Sequence, residues 1–211
     1  MLRKQRYGRQ SMGQPMWDER YRGEEYVYGT SPNDFLRSQI ATLPRGRILC
    51  LAEGEGRNAV FLAEQGYDVT AVDQSPVGLA KARQLAEQRG VSIETVVADL
   101  AAFEVAPEAW DGVVSIFAHV PPPARQHIHR QVVTGLRPGG VLLLEAYRPE
   151  QLEYRTGGPP VAELMMTLDG LREELSGLDF DYCAETVRDI QEGPLHHGAG
   201  AVVQLRARRP H

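Results

Sequence analysis

Between Arg47 and Ala146, short apolar runs alternate with segments whose apolar residues recur at helical spacing. The runs are Ile48 to Leu51, Tyr67 to Val72, Val91 to Ala98, Gly112 to Phe117 and Val141 to Ala146. With little polar interruption, they suit strands buried on both faces of a parallel sheet. Between them, Asn58 to Gln65, Ser75-Pro76 to Arg89 and Pro123 to Leu136 read as helices, the first two stopped by Gly66 and Gly90. Parallel strands need crossovers, and crossover helices cover both faces of the sheet. The alternation therefore predicts a doubly wound α/β fold, with Arg137-Pro-Gly-Gly as the turn before the fifth strand.

The turn after the first strand narrows the chemistry. Gly54-x-Gly56-x-x-Ala59 meets the relaxed dinucleotide fingerprint, and Asp73 ends the second strand about twenty residues on, where such folds hold a ribose. Glu53 and Glu55 flank Gly54, however, and each would repel a pyrophosphate by roughly a kcal/mol or more at partial burial. A cofactor without phosphate and with a positive centre is favoured instead, and S-adenosylmethionine is such a molecule. Asp73, with Gln74 beside it, is expected at the ribose, and Asp99-Leu100 after the third strand at the adenine; a turn or helix cap is the plain alternative for either aspartate. Arg57, first in the helix with Asn58, pairs with the cofactor carboxylate or bonds to neighbouring loops.

The charge of −5 gives no general attraction to nucleic acid or anionic lipid, and no apolar run is long enough to span a bilayer. Cys50 falls in a buried strand and Cys183 in a late one, so no disulfide is expected and a reducing cytoplasm is. Residues 1–15 read as a flexible basic tail and 16–211 as one domain. Within it, 16–45 form an N-terminal helical lid, 46–147 the cofactor-binding core, and 148–211 a substrate-side loop, helix and strand hairpin. Trp17, Tyr21 and Tyr28 in the first part either bridge a helix to the core or fold over the cofactor. Ser31-Pro32 is expected to start a helix running to about Thr42.

On the acceptor side, the fourth strand ends at Phe117-Ala118-His119, which places these residues on the cofactor edge, with His119 as a base, a substrate contact or a turn residue. Tyr147-Arg148 leave the fifth strand at the same edge, before a Thr156-Gly-Gly-Pro loop and a helix over Glu163 to Leu175. Asp181 to Ile190 and Ala201 to Ala207 then form a hairpin whose turn carries Glu192, His196 and His197 to the substrate mouth. His127 and His129 lie on different faces of their helix and are expected in solvent; no metal site is expected.

The order of glycine turn, Asp73, Asp99-Leu100, apolar fourth strand and Leu136-Arg-Pro-Gly-Gly resembles the class I S-adenosylmethionine-dependent methyltransferases. Trp17-Asp-Glu-Arg-Tyr, Tyr28-Gly29, Asn33 and Gly54-x-Gly56-Arg57-Asn58 are similar to the tellurite-resistance TehB-type and thiopurine-type branch. The resemblance implies a Rossmann-like sheet of seven mostly parallel strands with the last antiparallel, and a cofactor held by Glu53, Gly54, Gly56, Arg57, Asn58, Asp73, Gln74, Asp99, Leu100, Phe117, Ala118 and Tyr28. It also implies a small acceptor between Trp17, Tyr21, Tyr147 and Arg148, with His119 and His196 as catalytic candidates. That branch methylates soft chalcogens, so a thiol, selenium or tellurium species is the implied substrate, reached by in-line displacement. Where the family ends strand one with an acid followed by glycine two positions later, this chain has Cys50 and Ala52, and Glu53 supplies the carboxylate. A NAD(P)-binding oxidoreductase and a non-catalytic S-adenosylmethionine-binding module are the alternatives. Oligomeric state is not legible.

Overall fold

In the computed structural model, residues 13–211 are described; most of the basic tail read from the sequence lies outside them. Seven strands form one sheet in the order β3-β2-β1-β4-β5-β7-β6. These are β1 (Arg47–Leu51), β2 (Asp68–Asp73), β3 (Glu94–Val97), β4 (Trp110–Ile116), β5 (Leu136–Tyr147), β6 (Asp179–Gln191) and β7 (His197–Arg208). The first five pair in parallel, and β7 runs antiparallel to both β5 and β6. This is the expected α/β sheet with its last strand reversed.

Alternation along each strand builds two cores. Leu49, Leu51, Val113, Leu142 and Leu144 face α5 (Pro122–Gly135) and α7 (Leu168–Glu174), whose Ile128, Val132, Leu171 and Leu175 complete one layer. Ile48, Cys50, Val114 and Leu143 face the other way, onto Leu36 of α2 (Asp34–Gln39), Ala59 and Leu62 of α3 (Arg57–Glu64) and Leu79 of α4 (Pro76–Gln88). Ser75 caps α4 by accepting from the Gly78 N–H, as expected before Pro76. Two further helices, α1 (Gln14–Tyr21) and α6 (Gln151–Tyr154), lie at the carboxyl edge of the sheet. Cys50 and Cys183 are both free.

The structure departs from the sequence reading in four places. Helix α2 starts later than Ser31-Pro32, because Asn33 is the cap: its Oδ1 accepts from the Leu36 N–H while its Nδ2 reaches buried carboxylates. Arg137 to Gly140 do not end a separate strand; Trp110 pairs with Leu136 and Gly112 with Val141, so the four residues bulge out of a strand already under way. The helix expected from Glu163 starts at Leu168, since Met165 and Met166 are buried and the Met166 N–H is tied to the Tyr147 carbonyl at 2.9 Å. His129 is not in solvent: it is buried, with Nδ1 2.7 Å from Glu174, and Arg125 forks onto the same carboxylate. Helical spacing placed His127 and His129 on different faces correctly, but α7 covers the second of those faces.

Candidate functional site

A cavity of about 680 Å³ opens at the carboxyl edge of the sheet, bounded by the β1–α3 turn, the ends of β2 to β4, the N-terminal segment and the β6–β7 turn. Its first half is acidic. Glu53 Oε1 accepts from the Asn58 and Ala59 N–H groups at the start of α3, at 3.0 and 2.7 Å. Burial pushes the Glu53 carboxyl up to about 7, with those bonds and Arg57 pulling the other way. Asp73 accepts from the Gly54 N–H at 2.9 Å through Oδ2 and from the Ser75 N–H at 2.8 Å through Oδ1. Each oxygen keeps a second lone pair, so the carboxylate is oriented yet able to accept two more hydroxyls. Gln74, Asp99 and Leu100 continue this wall, with Asp99 Oδ1 turned onto the Ala101 N–H.

The glycines act beneath the wall rather than on it. Gly54 and Gly56 adopt φ of 61° and 90°; a Cβ at the first would lie 2.7 Å from the Tyr21 hydroxyl, and at the second 2.5 Å from Ala82 Cβ. They permit the turn and the approach of α1 and α4, and the cavity is lined instead by their neighbours. Ala52 stands where a third glycine is usual in the resembled motif, and it too is left-handed, at φ 50°.

The N-terminal segment bridges to the core and borders the cavity. Tyr21 is buried against the core, and Trp17, Arg20, Tyr21 and Tyr28 line the cavity. It is strapped down by Lys81, whose ammonium donates to the Gly23 and Glu25 carbonyls and pairs with Glu55 at 2.5 Å. Ser75 Oγ donates to Asp18, and Arg20 Nη1 to the Tyr28 hydroxyl.

The second half is aromatic and electrically neutral. Phe117, Tyr147, Tyr28 and His196 pack ring against ring at centroid separations of 4.6 to 5.5 Å. Arg57 does bond to a neighbouring loop: it pairs with Glu192 at 2.5 Å, and Arg188 bridges Glu192 to Glu145, on which Asn33 and Gln204 also converge. Burial alone would raise Glu192, but Arg57 and Arg188 outweigh it and hold the carboxyl below its usual value. Two guanidinium groups and two carboxylates thus cancel. Arg57 Nη1 and His196 Nδ1 remain buried without a hydrogen-bond partner.

The two histidines differ. His119 Nδ1 lies 2.8 Å from the Leu164 carbonyl, so it carries the proton, and Nε2 accepts from the Tyr147 N–H at 3.1 Å. Both nitrogens are spent on main chain, which leaves His119 no lone pair for a base; burial pulls its pKa to about 4. His196 has a free Nδ1, and burial with Arg57 nearby pulls it to about 3. Tyr147 packs behind these rings, Ala118 is buried, and neither lines the cavity; nor does Arg148, which pairs outward with Glu150 and Glu185. Sequence reasoning missed Arg20, although it sits inside the Trp17-Asp-Glu-Arg-Tyr stretch, and missed the wall made by Pro121, Pro123 and Pro160. Three consecutive prolines at 121–123 were the available signal.

Glu53, Glu55, Asp73 and Asp99 all line the first half. Glu55 is paired with Lys81, and the carboxylates of Glu53, Asp73 and Asp99 are acceptors that fit a cationic cofactor with a ribose and disfavour a pyrophosphate. Residues 48–140 match the family described as "Methyltransferase domain". Over that stretch, which is under half of the chain, the sequence is similar to a methyltransferase domain. The chain is 34% identical to tRNA 5-carboxymethoxyuridine methyltransferase of Escherichia coli (strain K12), over 50% of this chain and 42% of that protein. The chain spans 24% to 42% of the length of the first curated relatives it matches. Among solved structures, one from work on conversion of a disulfide bond into a thioacetal group during echinomycin biosynthesis superposes with a TM-score of 0.74 at 23% identity, covering 93% of this chain and 91% of that one. TehB from Haemophilus influenzae superposes with a TM-score of 0.67 at 19% identity, over 93% of this chain and 66% of that one, so the domain has a TehB-like fold. Among the described residues, no helix is long and apolar enough to cross a membrane, and no three His, Cys, Asp or Glu side chains stand together as a metal would need.

Proposed function

We propose that the protein is an S-adenosylmethionine-dependent methyltransferase that acts on a small molecule through a soft nucleophile, a thiol or another chalcogen. The observation that carries this reading is the division of one cavity into an acidic half and a neutral aromatic half. When bound, S-adenosylmethionine supplies a methyl group already activated on a sulfonium. Asp73 is assigned to the ribose hydroxyls, Asp99 and the Leu100 main chain to the adenine, Glu53 to the ammonium of the methionine part and Arg20 to its carboxylate. The Gly54–Asn58 turn holds these groups in register, and Tyr28, Phe117 and His196 wall the acceptor into line with the methyl carbon. Transfer would form the acceptor–carbon bond as the carbon–sulfur bond breaks, and Trp17 and Tyr21 above are assigned to keep water out.

No strong base faces the acceptor. His119 is committed to the main chain, and His196 titrates too low to take a proton near neutral pH. An acceptor that ionises by itself, such as a thiol, needs only to be positioned, and His196 Nδ1 is assigned that task. The test is transfer of labelled methyl from the cofactor to thiols, selenite, tellurite, phenols and small acids. Turnover of a thiol, with kcat/KM reduced about tenfold or more in His196→Ala and S-adenosylhomocysteine affinity changed less than about threefold, supports the assignment. Cofactor bound with no transfer to any member would favour a non-catalytic binding module, and tight NADH binding without S-adenosylhomocysteine binding would overturn the choice of cofactor.

A further inference from the structure

The acceptor half of the cavity is closed by two stretches that the fold alone does not require. One is the start of α5, where residues 121–123 are all proline and the helix has no side-chain cap. A helix N-terminus at a cavity wall is ordinarily an anion site, because its first N–H groups are unpaired and the helix dipole favours negative charge. Proline has no N–H, so residues 121–123 offer no donor and Ala124 carries the first N–H of the helix; Pro121, Pro123 and Ala124 line the cavity. The second stretch is the loop from Thr156 to Pro160, where Gly157 and Gly158 (φ 146° and 87°) bring the chain against Tyr147 and the Leu195 carbonyl, so that Pro160 and Leu195 close the far side. Leu152, Tyr154, Val161 and Leu195, on this loop and the adjoining turn, are 38% to 43% exposed, an unusual concentration of bare apolar surface. The guanidinium on this side, Arg57, is neutralised by Glu192.

From this geometry we infer that the acceptor carries an apolar carbon body, a chain or fused ring, seated between the proline start of α5 and the Pro160–Leu195 rim, and that it is not a bare oxyanion such as selenite or tellurite. A hydrated oxyanion entering this chamber would shed water and find few donors in exchange, Arg57 Nη1 and His196 among them, whereas an apolar body gains from every carbon it buries. The inference rests on the methyltransferase reading only for which end of the body reacts.

The test is calorimetric titration with methyl propyl, methyl butyl, methyl pentyl and methyl hexyl sulfide, which resemble methylated products and need no turnover, beside selenite and tellurite. Each is titrated with and without saturating S-adenosylhomocysteine. Affinity is expected to rise roughly fourfold for each added methylene, and less steeply in Leu195→Ser. Affinity that ignores chain length, or selenite or tellurite binding more tightly than methyl hexyl sulfide, overturns the inference. Sulfides that bind with the expected slope to a protein that ignores S-adenosylhomocysteine would leave the apolar chamber standing and remove the methyltransferase reading.

Discussion

The two halves of the cavity use charge in opposite ways. Around β1 to β3, carboxylates face the cavity and are anchored by main-chain N–H groups, so their negative charge is offered to a ligand: Glu53 and Asp73 each hold two such bonds. Around β5 to β7, charge is just as dense but is consumed internally, with Arg57, Arg188, Glu145 and Glu192 paired among themselves and His196 neutral. The first arrangement selects a cation. The second removes net charge from a wall that, on the proposed function, holds an anionic nucleophile beside that cation, and it locks the β6–β7 turn to α3. A site for methyl transfer from a sulfonium needs both.

The largest test of this contrast is Asp73→Ala. It deletes charge-assisted bonds to the ribose, and S-adenosylhomocysteine affinity should fall roughly 10- to 100-fold by calorimetry. Sulfide binding on the other side should change little; an equal loss on both sides would break the division. Next is His119→Ala, which strands the Leu164 carbonyl and the Tyr147 N–H and should destabilise the fold by about 1 to 3 kcal/mol in denaturant titration, leaving the pH dependence of turnover unmoved. A lost acidic limb in the rate profile would instead make His119 the proton acceptor.

Glu53 gives a smaller effect with a definite sign. Its folded pKa, about 7, lies above the unfolded value, so between about pH 4.5 and 7 the folded state holds a proton that the unfolded state has lost. Glu53's contribution to stability without ligand therefore declines as pH rises through that window and is flat above it. A cation binds the ionised form, so affinity for S-adenosylmethionine should improve about tenfold from pH 6 to pH 8, and Glu53→Gln should flatten the slope. Smallest is Ala52→Gly: removing the left-handed strain of about 1 to 2 kcal/mol, less the entropic cost of glycine, should stabilise the fold by up to about 1 kcal/mol in thermal unfolding.

The acidic half was largely legible. Its residues follow one another within short stretches after β1, β2 and β3, and local rules of strand, turn and cap fix where each points: Ser75-Pro76 capped α4 as written, and Asp73 ended its strand where expected. The acceptor half was less so. Asn33, Glu145, Arg188, Glu192 and Gln204 are joined by bonds that span up to 159 positions of chain, and no local pattern announces a buried network of that kind.

By itself, the sequence determined the doubly wound sheet, because hydrophobic period and turn chemistry act over a few residues and are repeated many times; the reversed last strand followed from the family resemblance. Tertiary structure decided which histidine is occupied and which has a free nitrogen, that Gly54 and Gly56 serve α1 and α4, and that His129 is covered by α7. The physical reason is that hydrogen-bond partners and burial depend on what distant segments bring to the same place, and a single residue's type is silent about its neighbours in space.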